Sequence, residues 1–123
     1  IIVETDWRGV VINSDYDSIT RKIFSAWDAT VPSPNLPVRL SSILLNHGFC
    51  GIDIKPIPIL NTEYTSNQFS HGMIKWITRN ALKKGAITKE QSEIWLDDLD
   101  DKGEKGNYFF CINRFLFSAM LAK

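Results

Sequence analysis

Apolar residues recur along this chain at two spacings, and the switches between them mark its elements. Ile1 to Thr5 is a β-branched run closing on Glu4, Thr5 and Asp6, the pattern of a buried strand whose C-terminal end opens into a polar loop. Trp7 to Asn13 continues as loop or extended chain. Ser14, three residues before Asp17, fits a capping box, and Tyr16, Ile19, Ile23, Phe24 and Trp27 then repeat at helical spacing, which predicts an amphipathic helix from about Asp15 to Ala29. Pro32, Pro34 and Pro37 interrupt the chain. Leu40, Ile43 and Leu44 mark one face of a helix stopped by Gly48.

A strand follows in which Ile52 and Ile54 alternate with Asp53 and Lys55, until Pro56 shifts the phase to Ile57 and Ile59. Two prolines each remove a ladder donor, so an edge position or a bulge is expected. Phe69, Met73, Trp76 and Ile77 then keep the i, i+4, i+7, i+8 pattern of a long helix ending near Gly85. Thr88 with Gln91 forms a second capping box, and Ile94, Trp95 and Leu99 supply the apolar face of the next helix. After a turn over Lys102 to Asn107, Tyr108 to Leu121 is apolar on both faces and predicts the central strand of the sheet. Strands alternating with helices predict an α/β fold.

The 123 residues suit one domain, residues 1–123, without linker or repeat. Fourteen basic residues balance fourteen acidic ones, so no net field gathers phosphate backbones or an anionic bilayer, and neither a nucleic acid nor a membrane is expected as partner. The longest apolar stretch, near Phe115 to Leu121, falls short of a bilayer span. Cys50 and Cys111 are too few for a disulfide framework and sit in apolar, strand-like surroundings, which predicts buried reduced thiols in a cytoplasmic protein. The opening Ile1-Ile2-Val3 reads as an interior strand, and hence as a fragment of a longer chain.

The order of several blocks then becomes specific. Ile1-Ile2-Val3-Glu4-Thr5-Asp6-Trp7, Val11-Ile12-Asn13-Ser14 and Ile19-Thr20-Arg21-Lys22-Ile23 come first, followed by Val38-Arg39-Leu40 and Leu44-Leu45-Asn46-His47-Gly48-Phe49. Gly85-Ala86-Ile87-Thr88, Ile94-Trp95-Leu96-Asp97-Asp98-Leu99 and Tyr108-Phe109-Phe110 complete the series. Together they resemble the C-terminal half of class I S-adenosylmethionine-dependent methyltransferases of the small-molecule-modifying branch. The resemblance covers essentially the whole chain and rests on the order of the blocks, each of which is degenerate.

It implies a partial Rossmann-like fold, with a mixed three-stranded sheet of the family's strands five, seven and six, flanking helices and an inserted helical hairpin. It also implies methyl transfer to a small-molecule acceptor by the parent protein, with S-adenosylmethionine as cofactor. One departure matters: the chain has no G-x-G turn, so the cofactor-binding half is absent and the segment alone is expected to be inactive.

Candidate chemistry is correspondingly sparse. Methyl transfer relies on in-line placement and exclusion of water, so no fixed triad is required and no catalytic base is identified. Asp6 and Trp7, at the carboxyl end of the first strand, either face the substrate or cap a turn and pack in the core. In the family the hairpin lies over the substrate mouth, which makes Phe69, Met73 and Trp76 candidate acceptor contacts beside their plainer role in packing. Arg21, Arg39 and Arg79 read as solvated helix residues, and His47 and His71 as structural or solvent-facing.

His47, Cys50 and Cys111 fall short of the four ligands of a structural zinc site, and no metal is expected. Asp97, Asp98, Asp100 and Asp101 resemble a calcium loop but lack its terminal Glu, and read as a solvated acidic helix end. The rival to the enzyme is a non-catalytic interaction or dimerisation module. In either case Ile1 to Thr5 presents an unpaired strand edge, through which a homodimer is expected.

Overall fold

The computed structural model describes residues 1–122, an α/β chain of four strands and four helices. In order these are β1 (Ile2–Thr5), β2 (Val11–Ile12), α1 (Asp17–Thr30), α2 (Leu36–Asn46), β3 (Phe49–Asn61), α3 (Phe69–Lys83), α4 (Lys89–Glu104) and β4 (Phe110–Leu121). β4 is the hub of the sheet, pairing with each of the other three strands. The sheet has four strands rather than three because Val11 and Ile12, read as loop or extended chain, pair antiparallel with Cys111 and Phe110.

The chain divides into two compact units. The first comprises Ile1–Val10, Ser33–Ile59 and the residues from Ile112 onward. Here β1 runs antiparallel to β4, with Ile2 opposite Phe117, Val3 opposite Leu116, Glu4 opposite Phe115 and Thr5 opposite Arg114. Phe115, Phe117 and Ala119 alternate along β4, so all three point to one face, where Leu40 and Leu44 of α2 meet them together with Leu36, Phe49 and Ile52. The helical spacing of Leu40 and Leu44 is thus the spacing that serves this cluster. β3 begins three residues earlier than its alternation suggests and runs on to Asn61, carrying Pro56 and Pro58 within a largely exposed strand. Cys50, expected to be buried, is exposed, and Cys111 is half-buried.

The second unit comprises Val11–Pro32 and Leu60–Cys111. α1 packs against α3 and α4, and the buried apolar residues of these helices are Ile19 and Ile23 of α1, Met73, Ile74, Ile77 and Ala81 of α3, and Trp95 and Leu99 of α4. The predicted cap at Ser14 is replaced by a different arrangement. α1 starts at Asp17 without a side-chain cap, while the Ser14 hydroxyl accepts the Tyr16 N–H at 3.1 Å and donates to Asp98 at 2.8 Å.

The second capping box forms as read. The Gln91 N–H donates to Thr88 Oγ1 at 3.1 Å, and the Thr88 N–H donates to Gln91 Oε1 at 3.0 Å. α3 and α4 close alike: Gly85 and Gly106, at φ of 72° and 75°, let Ala86 and Asn107 donate back to the carbonyls of Ala81 and Lys102, satisfying groups the helix ends would otherwise orphan.

Candidate functional site

The first candidate surface belongs to the first unit, where β1 ends. The Asp6 N–H donates to the Asn113 carbonyl at 2.9 Å and prolongs the β1–β4 ladder by one residue. The Asp6 carbonyl then accepts the Gly9 N–H at 3.3 Å, closing a turn over Trp7 and Arg8. The Asp6 carboxylate folds back over this turn: a Cβ at position 9 would collide with Oδ2. Asp6 therefore shapes the turn, and Trp7 sits half-buried within it.

The same unit holds a shallow apolar groove of about 170 Å³ lined by Ile1, Ile2, Leu44, Phe49, Phe117 and Ala119. It offers no ionisable side chain. Its volume lies below the roughly 300 Å³ at which pockets begin to enclose a drug-sized ligand.

The other three candidates lie on α3, in the second unit, in unlike surroundings. Met73 is a core residue at 7% exposure. Phe69 is 38% exposed, its ring tilted against Phe110 with centroids 6.4 Å apart. Trp76 is 64% exposed and tilted against Trp27 of α1 at 5.8 Å. Phe69 and Trp76 thus present aromatic surface, while Met73 supports their helix from beneath.

Two polar clusters in this unit escaped the sequence. In one, Asn61, itself buried, accepts the Ser70 N–H at 2.8 Å and so holds the first turn of α3. The Ser70 hydroxyl meets the Tyr108 phenol at 2.7 Å. Tyr64 covers this pair, its ring 5.0 Å from Tyr108 and 4.7 Å from His71. Burial pushes the Tyr108 phenol up to about 12, against the opposing effect of its hydrogen bond with Ser70. Burial also raises Tyr64, helped by the charge of Asp100 and by Tyr108. Near neutral pH both phenols are hydrogen-bonding groups rather than bases. Ser70 and Tyr108 stand 38 positions apart, with no pattern linking them.

The other cluster corrects the reading of a solvated acidic helix end at Asp98 alone, since Asp97 and Asp100 are exposed. Asp98 and Lys102 are buried, one helical turn apart, and their charged groups lie 3.4 Å from each other. Asp98 also accepts the Ser14 hydroxyl and the Asp15 N–H, at 2.8 and 3.0 Å. Lys102 reaches Asp15 at 2.8 Å, and this hydrogen bond raises the pKa of its ammonium group against the opposing effect of burial. The i, i+4 spacing of Asp98 and Lys102 was visible. What hides them from solvent, the chain at Ser14 and Asp15, was not.

No group of His, Cys, Asp and Glu among the described residues could hold a metal ion, and no helix among them is long and apolar enough to cross a membrane. His47 is exposed, and its Nδ1 lies 2.8 Å from the Ile43 carbonyl. The glycines at positive φ do not fit a cofactor cradle. Gly48, Gly85 and Gly106 each follow a helix, and Gly51 lies inside β3, whereas a nucleotide-binding turn leads from a strand into a helix. Comparison of the chain with protein-family models, with curated proteins and with solved structures found no match.

Proposed function

We propose that this chain is the C-terminal half of a class I S-adenosylmethionine-dependent methyltransferase of the small-molecule-modifying branch, a cytoplasmic protein in which it supplies part of the sheet and of the acceptor side. The observation that carries the reading is the pairing of β4. This last strand, reached through the α3–α4 hairpin, pairs with both β1 and β3. In the family's Rossmann-like order these would be strands seven, five and six.

Open α/β sheets take their ligands beyond the carboxyl ends of the strands, and the Asp6–Gly9 turn follows that end of β1. On this reading Trp7 is an acceptor contact and Asp6 positions it. Phe69 and Trp76 are the α3 residues with aromatic surface to offer an apolar acceptor, and Met73 acts only by supporting them. The cofactor itself is held upstream, since the glycines present do not fit it.

Calorimetric titration of S-adenosylmethionine into this chain, and into a polypeptide extended upstream of Ile1 through a glycine-rich strand, tests the reading. Heat from the longer protein alone is the expected result. Trp7→Ala in that protein should lower kcat/KM by about tenfold or more while leaving cofactor affinity unchanged. Binding by neither polypeptide rejects the assignment.

One observation favours a second reading, a non-catalytic dimerisation module. β1 stands at one end of the strand order, with Ile2 and Val3 still 37% and 51% exposed beside the apolar groove. Such an edge offers backbone donors and acceptors to the same strand of another copy. An oligomer that Val3→Lys dissociates supports this reading, and a monomer by light scattering at high protein concentration rejects it.

A further inference from the structure

The balanced charge of the whole chain conceals a segregation inside the second unit. α3 carries Lys75, Arg79 and Lys83 and no acid, and Lys84 follows directly. α4 carries seven acids against two lysines. On α3 the three cations are exposed, together with Phe69, Trp76 and Leu82, and at 3.6 residues per turn these six positions occupy an arc of about 140°. On α4 the exposed acids Glu90, Glu93, Asp97, Asp100 and Glu104 occupy about 80°, with Ile94, 38% exposed, beside them.

Among the described residues neither the cations of α3 nor Glu90, Glu93, Asp97 or Glu104 is ion-paired, in contrast to Lys102 with Asp98 and Lys105 with Asp101. Lys75, Arg79 and Lys83 stand four apart, as do Glu93 and Asp97, a spacing at which like charges repel within a helix. Each stripe is therefore unfavourable on its own helix and complementary to the other.

We propose that the α3–α4 hairpin docks on the same hairpin of a second copy of this chain. A two-fold axis sets α3 of one copy against α4 of its partner and α4 against α3 in one step, so that each basic stripe meets an acidic one. The exposed aromatic and aliphatic residues supply the apolar centre that charge alone lacks. Trp76 at 64% exposure is the anchor, of the residue type that most often dominates binding energy at interfaces. The complementary charges set register and encounter rate. This contact rests on the second unit alone. It is distinct from the β1 edge, and because it covers Phe69 and Trp76 it takes the place of their role as acceptor contacts.

Sedimentation equilibrium of the full chain across a range of concentration and salt is the test, with folding of each variant checked by circular dichroism. The expected result is self-association at low ionic strength whose dissociation constant rises at least tenfold between about 0.05 and 0.5 M salt. Lys75→Glu/Arg79→Glu turns the α3 stripe net acidic like that of α4 and should be monomeric, as should Glu93→Lys/Asp97→Lys/Glu104→Lys, which turns the α4 stripe net basic like that of α3. An equimolar mixture of the two should form a heterodimer. The same reversals placed at Arg39 and Lys55, in the first unit, should change nothing. Association that survives both hairpin reversals overturns the proposal by placing the contact elsewhere. So does a wild-type chain that stays monomeric in low salt, including one that binds vesicles of anionic phospholipid through the α3 cations.

Discussion

Trp95 offers the sharpest quantitative test of how the second unit is held. Its indole is fully buried, and Nε1–H donates to Thr20 Oγ1 at 2.9 Å; the Thr20 hydroxyl in turn donates to the Tyr16 carbonyl at 3.1 Å. A relay of two hydrogen bonds thus links α4 to the start of α1. Trp95→Phe removes the donor and leaves a void of roughly 40 Å³, which at about 24 cal/mol per Å³ costs about 1 kcal/mol. Loss of the hydrogen bond adds about 1 kcal/mol, because the Thr20 hydroxyl keeps Tyr16 as partner.

Thr20→Val conserves volume but strands a buried indole N–H, at a cost of about 1–3 kcal/mol. The Tyr16 carbonyl is not orphaned, since it still accepts the Thr20 backbone N–H at 3.0 Å. In the Trp95→Phe background there is no indole N–H to strand, so Thr20→Val should then cost less than about 0.5 kcal/mol. The coupling energy of the double-mutant cycle is therefore about 0.5–3 kcal/mol.

Urea unfolding followed by far-ultraviolet circular dichroism measures all four proteins, and both residues lie in one compact unit. A Thr20→Val penalty below about 0.5 kcal/mol in the wild-type background would falsify the reasoning, for it would mean that water satisfies the indole through the partly exposed side of Thr20.

Three further outcomes follow from the geometry. Tyr108, Tyr64 and Lys102 all hold their protons more tightly when folded, so the stability they contribute is whole below the unfolded pKa and is lost as pH rises through the folded one. Stability should begin to fall near the ordinary phenol value of 10.0 and keep falling to about 12, and Tyr108→Phe should make the fall shallower in pH-dependent urea titrations. Gly85→Ala and Gly106→Ala should each cost about 1 kcal/mol in thermal unfolding. Open space surrounds both positions, so the penalty is the left-handed backbone alone. Gly9→Ala should displace the Asp6 carboxylate at a cost of up to about 1 kcal/mol, a penalty that Asp6→Ala in the same protein removes in a thermal double-mutant cycle.

Local chemistry was legible in the sequence wherever the determinant lies within a few residues of its effect. The Thr88–Gln91 capping box, the stops at Gly48 and Gly85, and the apolar faces of α2 and α3 are interactions over one or two turns, and the chain states them directly, whereas α4 runs on to Glu104 through residues read as a turn from Lys102. Ser14 marks the limit of that logic. Its spacing to Asp17 is right for a cap, yet Asp98, 84 positions away, offers its hydroxyl a charged acceptor. A hydrogen bond to an ionised group is the stronger one, and local pattern cannot anticipate it.

The candidate site divides in the same way. Trp7 and Trp76 are visible as residue types suited to an apolar ligand, but the sequence does not distinguish exposed Trp76 from buried Met73 three positions earlier. Both fit a helical stripe, and only the packing of α1 decides which side of it is covered. The charge balance behaves likewise. Sequence fixes its total at zero, whereas burial selects which charges are paired, enclosing Asp98 and Lys102 and leaving the stripes of α3 and α4 in water. The sequence by itself determined the elements and their caps, because those energies are local. Tertiary structure alone decided which polar groups are enclosed and which faces remain open, because desolvation depends on neighbours that the chain brings together only by folding.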